Sequence, residues 1–126
     1  VDLQDSNGGT ALMHAASQGR ERVIDLLMQR GAEVNMQNSR GGTALMLAAD
    51  KRHERVFDLL LQHGADVNLK DINGGTALMR AAYSGCPAVV LRLLRAGADA
   101  KARSAAGMTA LQIAKEEAAK VLATAD

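Results

Sequence analysis

Apolar and polar residues follow one another along the chain in short blocks with helical spacing. After Thr10, the apolar Leu12, Ala15 and Ala16 fall on one side of a short helix, which Gly19 is placed to end in a left-handed conformation. A second helix is predicted from about Glu21 to Gln29, where Val23, Ile24, Leu26 and Leu27 keep helical spacing, and Gly31 stops it. From Ala32 to Gly42 the sequence is polar and Gly-rich, as an extended hairpin would be. The same order returns as a helix over Thr43 to Asp50 and another over His53 to Gln62, stopped by Gly64. In the third block Pro87 stands where a second helix begins, and there its fixed φ and missing N–H do no harm. Each first helix opens on a threonine, whose hydroxyl can accept from an unpaired backbone N–H.

The blocks are copies of one another. Gly9-Thr10-Ala11-Leu12-Met13 returns as Gly42-Thr43-Ala44-Leu45-Met46 and Gly75-Thr76-Ala77-Leu78-Met79, with a weaker copy at Met108-Thr109-Ala110-Leu111-Gln112. Successive threonines lie 33 residues apart, without drift. Gly31-Ala32-Glu33-Val34-Asn35, Gly64-Ala65-Asp66-Val67-Asn68 and Gly97-Ala98-Asp99-Ala100-Lys101 keep the same period. Two independent blocks at one fixed period are the signature of a repeat array.

Composition narrows this further. Hydrophobic residues make up 48% of the 126, yet there is one Phe, one Tyr and no Trp. Such a core must be built from Ala, Leu, Val and Met, which favours thin, closely stacked helices. Net charge is +1 with 23% charged residues of both signs, and no block of like charge marks a nucleic-acid arm or a membrane-surface patch. No apolar run approaches the length of a transmembrane helix, so no membrane insertion is expected. A single cysteine, Cys86, leaves no internal disulfide and no multi-cysteine metal site. It is compatible with a reducing compartment, so an intracellular place, cytoplasmic or nuclear, is expected.

The chain resembles the ankyrin repeat family along essentially its whole length, through the Thr-Ala-Leu-Met runs, the Ala15-Ala16 type pairs, Gly19 and Gly85, the leucine pairs at 26–27, 59–60 and 93–94, and the Gly-Ala-Asp/Glu-Val-Asn runs. The resemblance implies an all-α helical solenoid of antiparallel helix pairs joined by β-hairpin loops. It reads as one domain over 1–126, with repeats at about 5–37, 38–70, 71–103 and a shortened 104–126. The family usually opens its first helix with Thr-Pro-Leu-His; here Pro becomes Ala, and His becomes Met or Gln, in every copy. The polar network of that His is therefore expected to be absent, with Met13, Met46 and Met79 packing as apolar fillers. Arg52 stands where the family has a helix-ending Gly, so left-handed strain is expected there, and Arg52→Gly is expected to stabilise.

The edges differ from the middle. Val1-Asp2-Leu3-Gln4-Asp5 aligns with Val34-Asn35-Met36-Gln37-Asn38, so the chain is expected to open on the tail of an earlier repeat. After Ala114 no glycine interrupts Lys115-Glu116-Glu117-Ala118-Ala119-Lys120, and a merged or frayed last helix pair is expected.

No catalytic arrangement is present. There is no G-x-S-x-G, H-E-x-x-H or Walker-type loop, and the Gly-Gly pairs at 8–9, 41–42 and 74–75 recur with the repeat as hairpin turns. His14, His53 and His63 are placed too far apart to share a metal; His53 reads as a surface residue near a helix start, and Cys86 as an ordinary small residue at a helix boundary. Basic residues alternate with acidic ones, and stacking aromatics are nearly absent, so nucleic acid is not an expected partner. No cofactor and no enzyme activity are expected.

The expected role is a protein–protein interaction module, a monomer that binds another protein. A solenoid offers an extended concave surface, which the resemblance builds from hairpin tips and first helices. Positions that differ between repeats while the scaffold recurs are the contact candidates. At the tips these are Ser6, Asn7, Ser39, Arg40, Ile72 and Asn73. On the first helices they are Ser17, Gln18, Asp50, Lys51, Tyr83 and Ser84, with His14, Leu47 and Arg80 at one further variable position. Tyr83 leads, because Tyr and Arg are enriched among binding hot spots. Tyr83→Ala, Arg40→Ala and Arg80→Ala are expected to weaken binding without unfolding the chain. The resemblance also implies asparagine hydroxylation at Asn35 or Asn68. Two other readings stay open: an engineered binding scaffold, and a regulatory or spacer segment of a larger enzyme or channel.

Overall fold

In the computed structural model, which describes residues 1–123, the first helices of the three complete repeats start from buried threonines. The Thr10, Thr43 and Thr76 hydroxyls accept from the backbone N–H groups of Met13, Met46 and Met79, at 3.3, 3.2 and 3.4 Å. Among the described residues there are seven helices and no strand: α1 (Ala11–Gln18), α2 (Glu21–Gln29), α3 (Ala44–Asp50), α4 (Glu54–Gln62), α5 (Ala77–Ser84), α6 (Pro87–Arg95) and α7 (Ala110–Ala123). Pro87 is the first residue of α6, as its missing N–H requires. The helices pair as α1 with α2, α3 with α4 and α5 with α6. First helices stack in the order α1, α3, α5, α7, and second helices in the order α2, α4, α6.

The first helices can approach closely because their facing residues are small. Ala16, Ala48, Ala49 and Ala81 are completely buried, and the three methionines after the threonine-Ala-Leu runs are buried with them. On the second helices Val56, Phe57, Leu60, Val89 and Leu93 carry the bulk of the core. Each side chain of this size contributes roughly 1.5–3 kcal/mol when fully buried.

The connecting segments carry the hairpins that the sequence suggests, each reduced to a tight turn with no strand assigned among the described residues. Asp5 N–H donates to the Gly9 carbonyl and Gly8 N–H to the Asp5 carbonyl, both at 2.9 Å, and the pattern repeats at Asn38 and Asp71. The opening side chain completes the turn: one Asp5 carboxylate oxygen accepts from the N–H groups of Asn7 and Gly9, as Asn38 does for Arg40 and Gly42 and Asp71 for Asn73 and Gly75.

Successive turns then bond to one another. Ser39 N–H donates to the Asn7 carbonyl at 2.9 Å, Ile72 N–H to Arg40 at 3.0 Å and Ala105 N–H to Asn73 at 2.7 Å. Glycine is required at these tips. A Cβ on Gly41, whose φ is +77°, would stand 2.7 Å from the Asp71 Cα. Side chains add rungs at the same period: Gln37 Nε2 donates to the carbonyls of Gly41 and Lys70, while the Asn35 and Asn68 side-chain oxygens accept from the N–H groups of Asp66 and Asp99.

α7 is one continuous helix of 14 residues where the earlier repeats have two helices. Ala118 takes the place held by Gly19, Arg52 and Gly85, so nothing breaks the helix there. Gly19 and Gly85 end α1 and α5 with φ of 73° and 67°. Arg52 adopts φ 59°, the one non-glycine residue with positive φ among those described. Its guanidinium reaches the next repeat and donates to the Ser84 carbonyl, an exposed bond that offsets part of the strain. Arg52→Gly should relieve roughly 1 kcal/mol and raise the melting temperature by about 2–4 °C; thermal unfolding followed by circular dichroism measures this. Gly19→Ala should do the opposite, because its Cβ would also stand 2.9 Å from the His53 ring.

Candidate functional site

The first helices and the turn tips line one side of the stack, and two cavities open there. The smaller, about 210 Å³, is lined by Asn7, His14, Ser17 and Leu47 together with Asp5, Met13 and Asn38. The larger, about 320 Å³, lies between the third and fourth repeats. Asp50, Asn73, Arg80 and Tyr83 line it with Met79, Ser104, Met108, Ile113, Glu116, Glu117 and Lys120. Of the candidate residues these eight are gathered into cavities; Ser6, Gln18, Ser39, Arg40, Lys51, Ile72 and Ser84 line neither.

Repeat number decides the chemistry of each cavity. Positions 14, 47, 80 and 113 are equivalent, and each follows the residue that opens its turn by nine. In the first repeat His14 Nε2 hydrogen-bonds the Asp5 carboxylate at 2.9 Å. That bond from His14, with the Gly9 and Asn7 N–H groups, holds the Asp5 carboxyl below its ordinary value of 3.8. In the second repeat the pair is Asn38 and Leu47, and no charge is involved.

The third repeat holds the strongest arrangement. Arg80 Nη1 donates to the Asp50 carboxylate at 2.6 Å and Nη2 to the Asp71 carboxylate at 2.9 Å. One guanidinium thereby joins the end of α3, the Asp71 turn and α5. Burial works to raise the Asp71 carboxyl. The Gly75 N–H, the Arg80 guanidinium and the Asn73 N–H outweigh burial and hold it below 3.8. Arg80 Nε is sealed from solvent without a partner, which offsets part of this gain.

The Arg80 side chain is thus committed to the scaffold and is not a free contact. Ser84 is committed too: its hydroxyl donates to the carbonyls of Arg80 and Ala49. Leu47 is half-buried and packs against the core. Tyr83 differs. It is 67% exposed, and its hydroxyl makes no hydrogen bond among the described residues. Arg40 is exposed at its tip, and its guanidinium has no partner among the described residues. Ser6, Asn7, Gln18, Ser39, Lys51, Ile72 and Asn73 are also exposed.

One side chain expected to be an incidental surface residue, His53, holds the scaffold, while Cys86 sits at a helix boundary as expected. His53 is half-buried at the N-cap of α4, and its ring hydrogen-bonds the Ser17 carbonyl at 3.0 Å, across the repeat boundary. Cys86 is buried at the N-cap of α6. Met108, Ser104 and Lys120 also line the Tyr83 cavity, although variation between the three complete repeats does not single them out. The signal was the period itself: Ser104 stands 33 residues after Asp71, and Met108 33 after Gly75. Among the described residues no three His, Cys, Asp or Glu gather in metal-binding geometry, and no helix is long and apolar enough to cross a membrane.

A stack of helix pairs at a 33-residue period, with its variable side chains on one surface, defines a helical repeat solenoid. Residues 1–71 match the family model described as ankyrin repeats (3 copies), and residues 60–114 match that described as ankyrin repeats (many copies). The chain belongs to the ankyrin repeat family. No curated protein matches it. Ankyrin repeats are generally protein–protein interaction modules, and the family is typically non-catalytic.

Because both of its terminal nitrogens bind carboxylates, Arg80→Ala should cost roughly 2 kcal/mol of stability, visible in urea unfolding. Asp71 has its pKa depressed in the folded chain. Its stabilisation is therefore present above 3.8, its value when unfolded, and is lost as pH falls through the lower folded value. Melting temperature should accordingly fall less between pH 5 and 2 in Asp71→Asn than in wild type, although the variant starts lower at pH 7.

Proposed function

We propose that this chain is a binding module that engages another protein, as a monomer, through the turn tips and first helices, with the cavity beside Tyr83 at the centre of the contact. The observation that carries this is the contrast between Tyr83 and its surroundings. An exposed aromatic ring with an unused hydroxyl stands over Met79, Met108 and Ile113, while Asp50, Arg80, Glu116 and Lys120 form a charged rim. An apolar floor under a polar rim is the usual anatomy of a recognition site. The aromatic anchor is of the kind that dominates binding energy. Arg40, unpaired at its tip, extends the same surface toward the second repeat.

The rigid scaffold supports this reading. Arg80, Asp71 and Asp50 hold one wall of the cavity through two ion pairs, so that wall needs little ordering when a partner arrives. Binding is also favoured over catalysis by what lines the larger cavity, where no histidine or cysteine stands among the described residues, while in the smaller one His14 shares the wall with Ser17 and is bonded to the Asp5 carboxylate. The one thiol, Cys86, is buried and unpaired, which suits a reducing compartment inside the cell.

Affinity capture with mass spectrometry, using the intact chain and then its variants, tests the proposal. Tyr83→Ala should weaken capture of a specific partner by about 2 kcal/mol, roughly thirty-fold, and Arg40→Ala by less, with unchanged melting temperatures. Undiminished capture by both variants would rule this surface out. Arg80→Ala should lower stability and binding together.

A further inference from the structure

On the opposite side of α5 a third cavity, about 650 Å³, opens between α6 and α7. Val90, Leu91 and Leu94 of α6 and Ala110, Leu111 and Ala114 of α7 form its facing walls, and among the described residues no charged side chain lines it. Leu111 is 63% exposed, while its equivalents Leu12, Leu45 and Leu78 are 2%, 1% and 3% exposed. The difference has one cause. Each of those leucines lies under the second helix of its own repeat, and α7 has none beside it among the described residues. Leu91 and Leu94, on the facing wall, are about half exposed.

We propose that this cleft is a second docking site, which takes an amphipathic α-helix of another protein, seated where each earlier repeat keeps its own second helix. The interface it would continue already exists twice in the chain, where α4 lies on α2 and α6 on α4. Those two interfaces specify the ligand. Val56 and Leu60 of α4, like Val89 and Leu93 of α6, are buried in the stack, so the incoming helix carries a β-branched residue and a leucine four residues later. Such an apolar stripe laid into a groove is a recurrent mode of peptide recognition.

A finer requirement follows from charge. At the boundary of α4 and α6, Arg92 of α6 bridges Glu54 at 2.8 Å and Asp58 at 2.9 Å. The residues of α6 equivalent to that carboxylate pair are Pro87 and Leu91. An arginine in the incoming helix would meet no carboxylate there and would be stripped of water without compensation. The ligand therefore needs an apolar residue at that place, as α4 has in Leu59.

The chain supplies its own probes. Two helix-stapled fluorescent peptides, one copying residues 54–62 and one copying residues 87–95, are titrated with the intact chain by fluorescence polarisation. The first should bind saturably, and the second at least ten-fold more weakly, because of Arg92. Leu111→Glu and Leu91→Glu should each weaken the first peptide ten-fold or more; both side chains are exposed, so folding, checked by circular dichroism, should persist. Tyr83→Ala should leave this binding unchanged, which keeps the two surfaces separate. Absence of binding up to about 1 mM, the weak limit of specific recognition, would overturn the proposal. So would binding that ignores both glutamate variants, or a concentration-dependent dimer that covers the cleft.

Discussion

Each repeat must approach the next closely enough for backbone to bond to backbone at the turn tips. The Ser39 to Asn7, Ile72 to Arg40 and Ala105 to Asn73 hydrogen bonds fix that distance. Other features of the stack are set by it. Alanine faces the neighbouring first helix because a larger residue would hold the repeats apart. Glycine stands at the tips because a Cβ would strike the next turn. A single helix pair could not bury its leucines and valines alone, so stacking is also what creates the core.

The scaffold was legible in the sequence for this reason. A constraint that acts identically at every boundary leaves identical residues at a fixed period, and Thr10, Thr43 and Thr76 announce their helices before any coordinates exist. Arg52 was legible as well, since it interrupts a position otherwise held by Gly19 and Gly85. The hairpins were legible in their place but not in their extent: polar, Gly-rich composition does not say how few residues pair before a turn is closed by an aspartate or asparagine side chain.

The site was harder to read. Variation between repeats found Tyr83, Arg40 and Arg80 but could not separate them, because periodicity says where a side chain starts and not where it ends. Arg80 ends between carboxylates from two different repeats, Asp50 and Asp71, an arrangement that depends on three-dimensional neighbours 30 and 9 residues away. His53 similarly finds its partner, the Ser17 carbonyl, 36 residues earlier. Tyr83 and Arg40 are exposed, and their side chains make no hydrogen bond or ion pair among the described residues.

α7 has a consequence for the Tyr83 surface. It supplies the far wall of that cavity through Ile113, Glu116 and Glu117, yet its packing in the stack is against α5. Stability in such an array is a sum of nearest-neighbour terms, so a helix whose main packing among the described residues is against α5 undocks at lower cost than α3 or α5, which pack against first helices on two sides. A ligand in the cavity binds only the docked form. Its apparent affinity is scaled by the population of that form, and occupancy in turn protects α7 from opening. Under the binding proposed at Tyr83, recognition there and local order of α7 would be two readouts of one equilibrium.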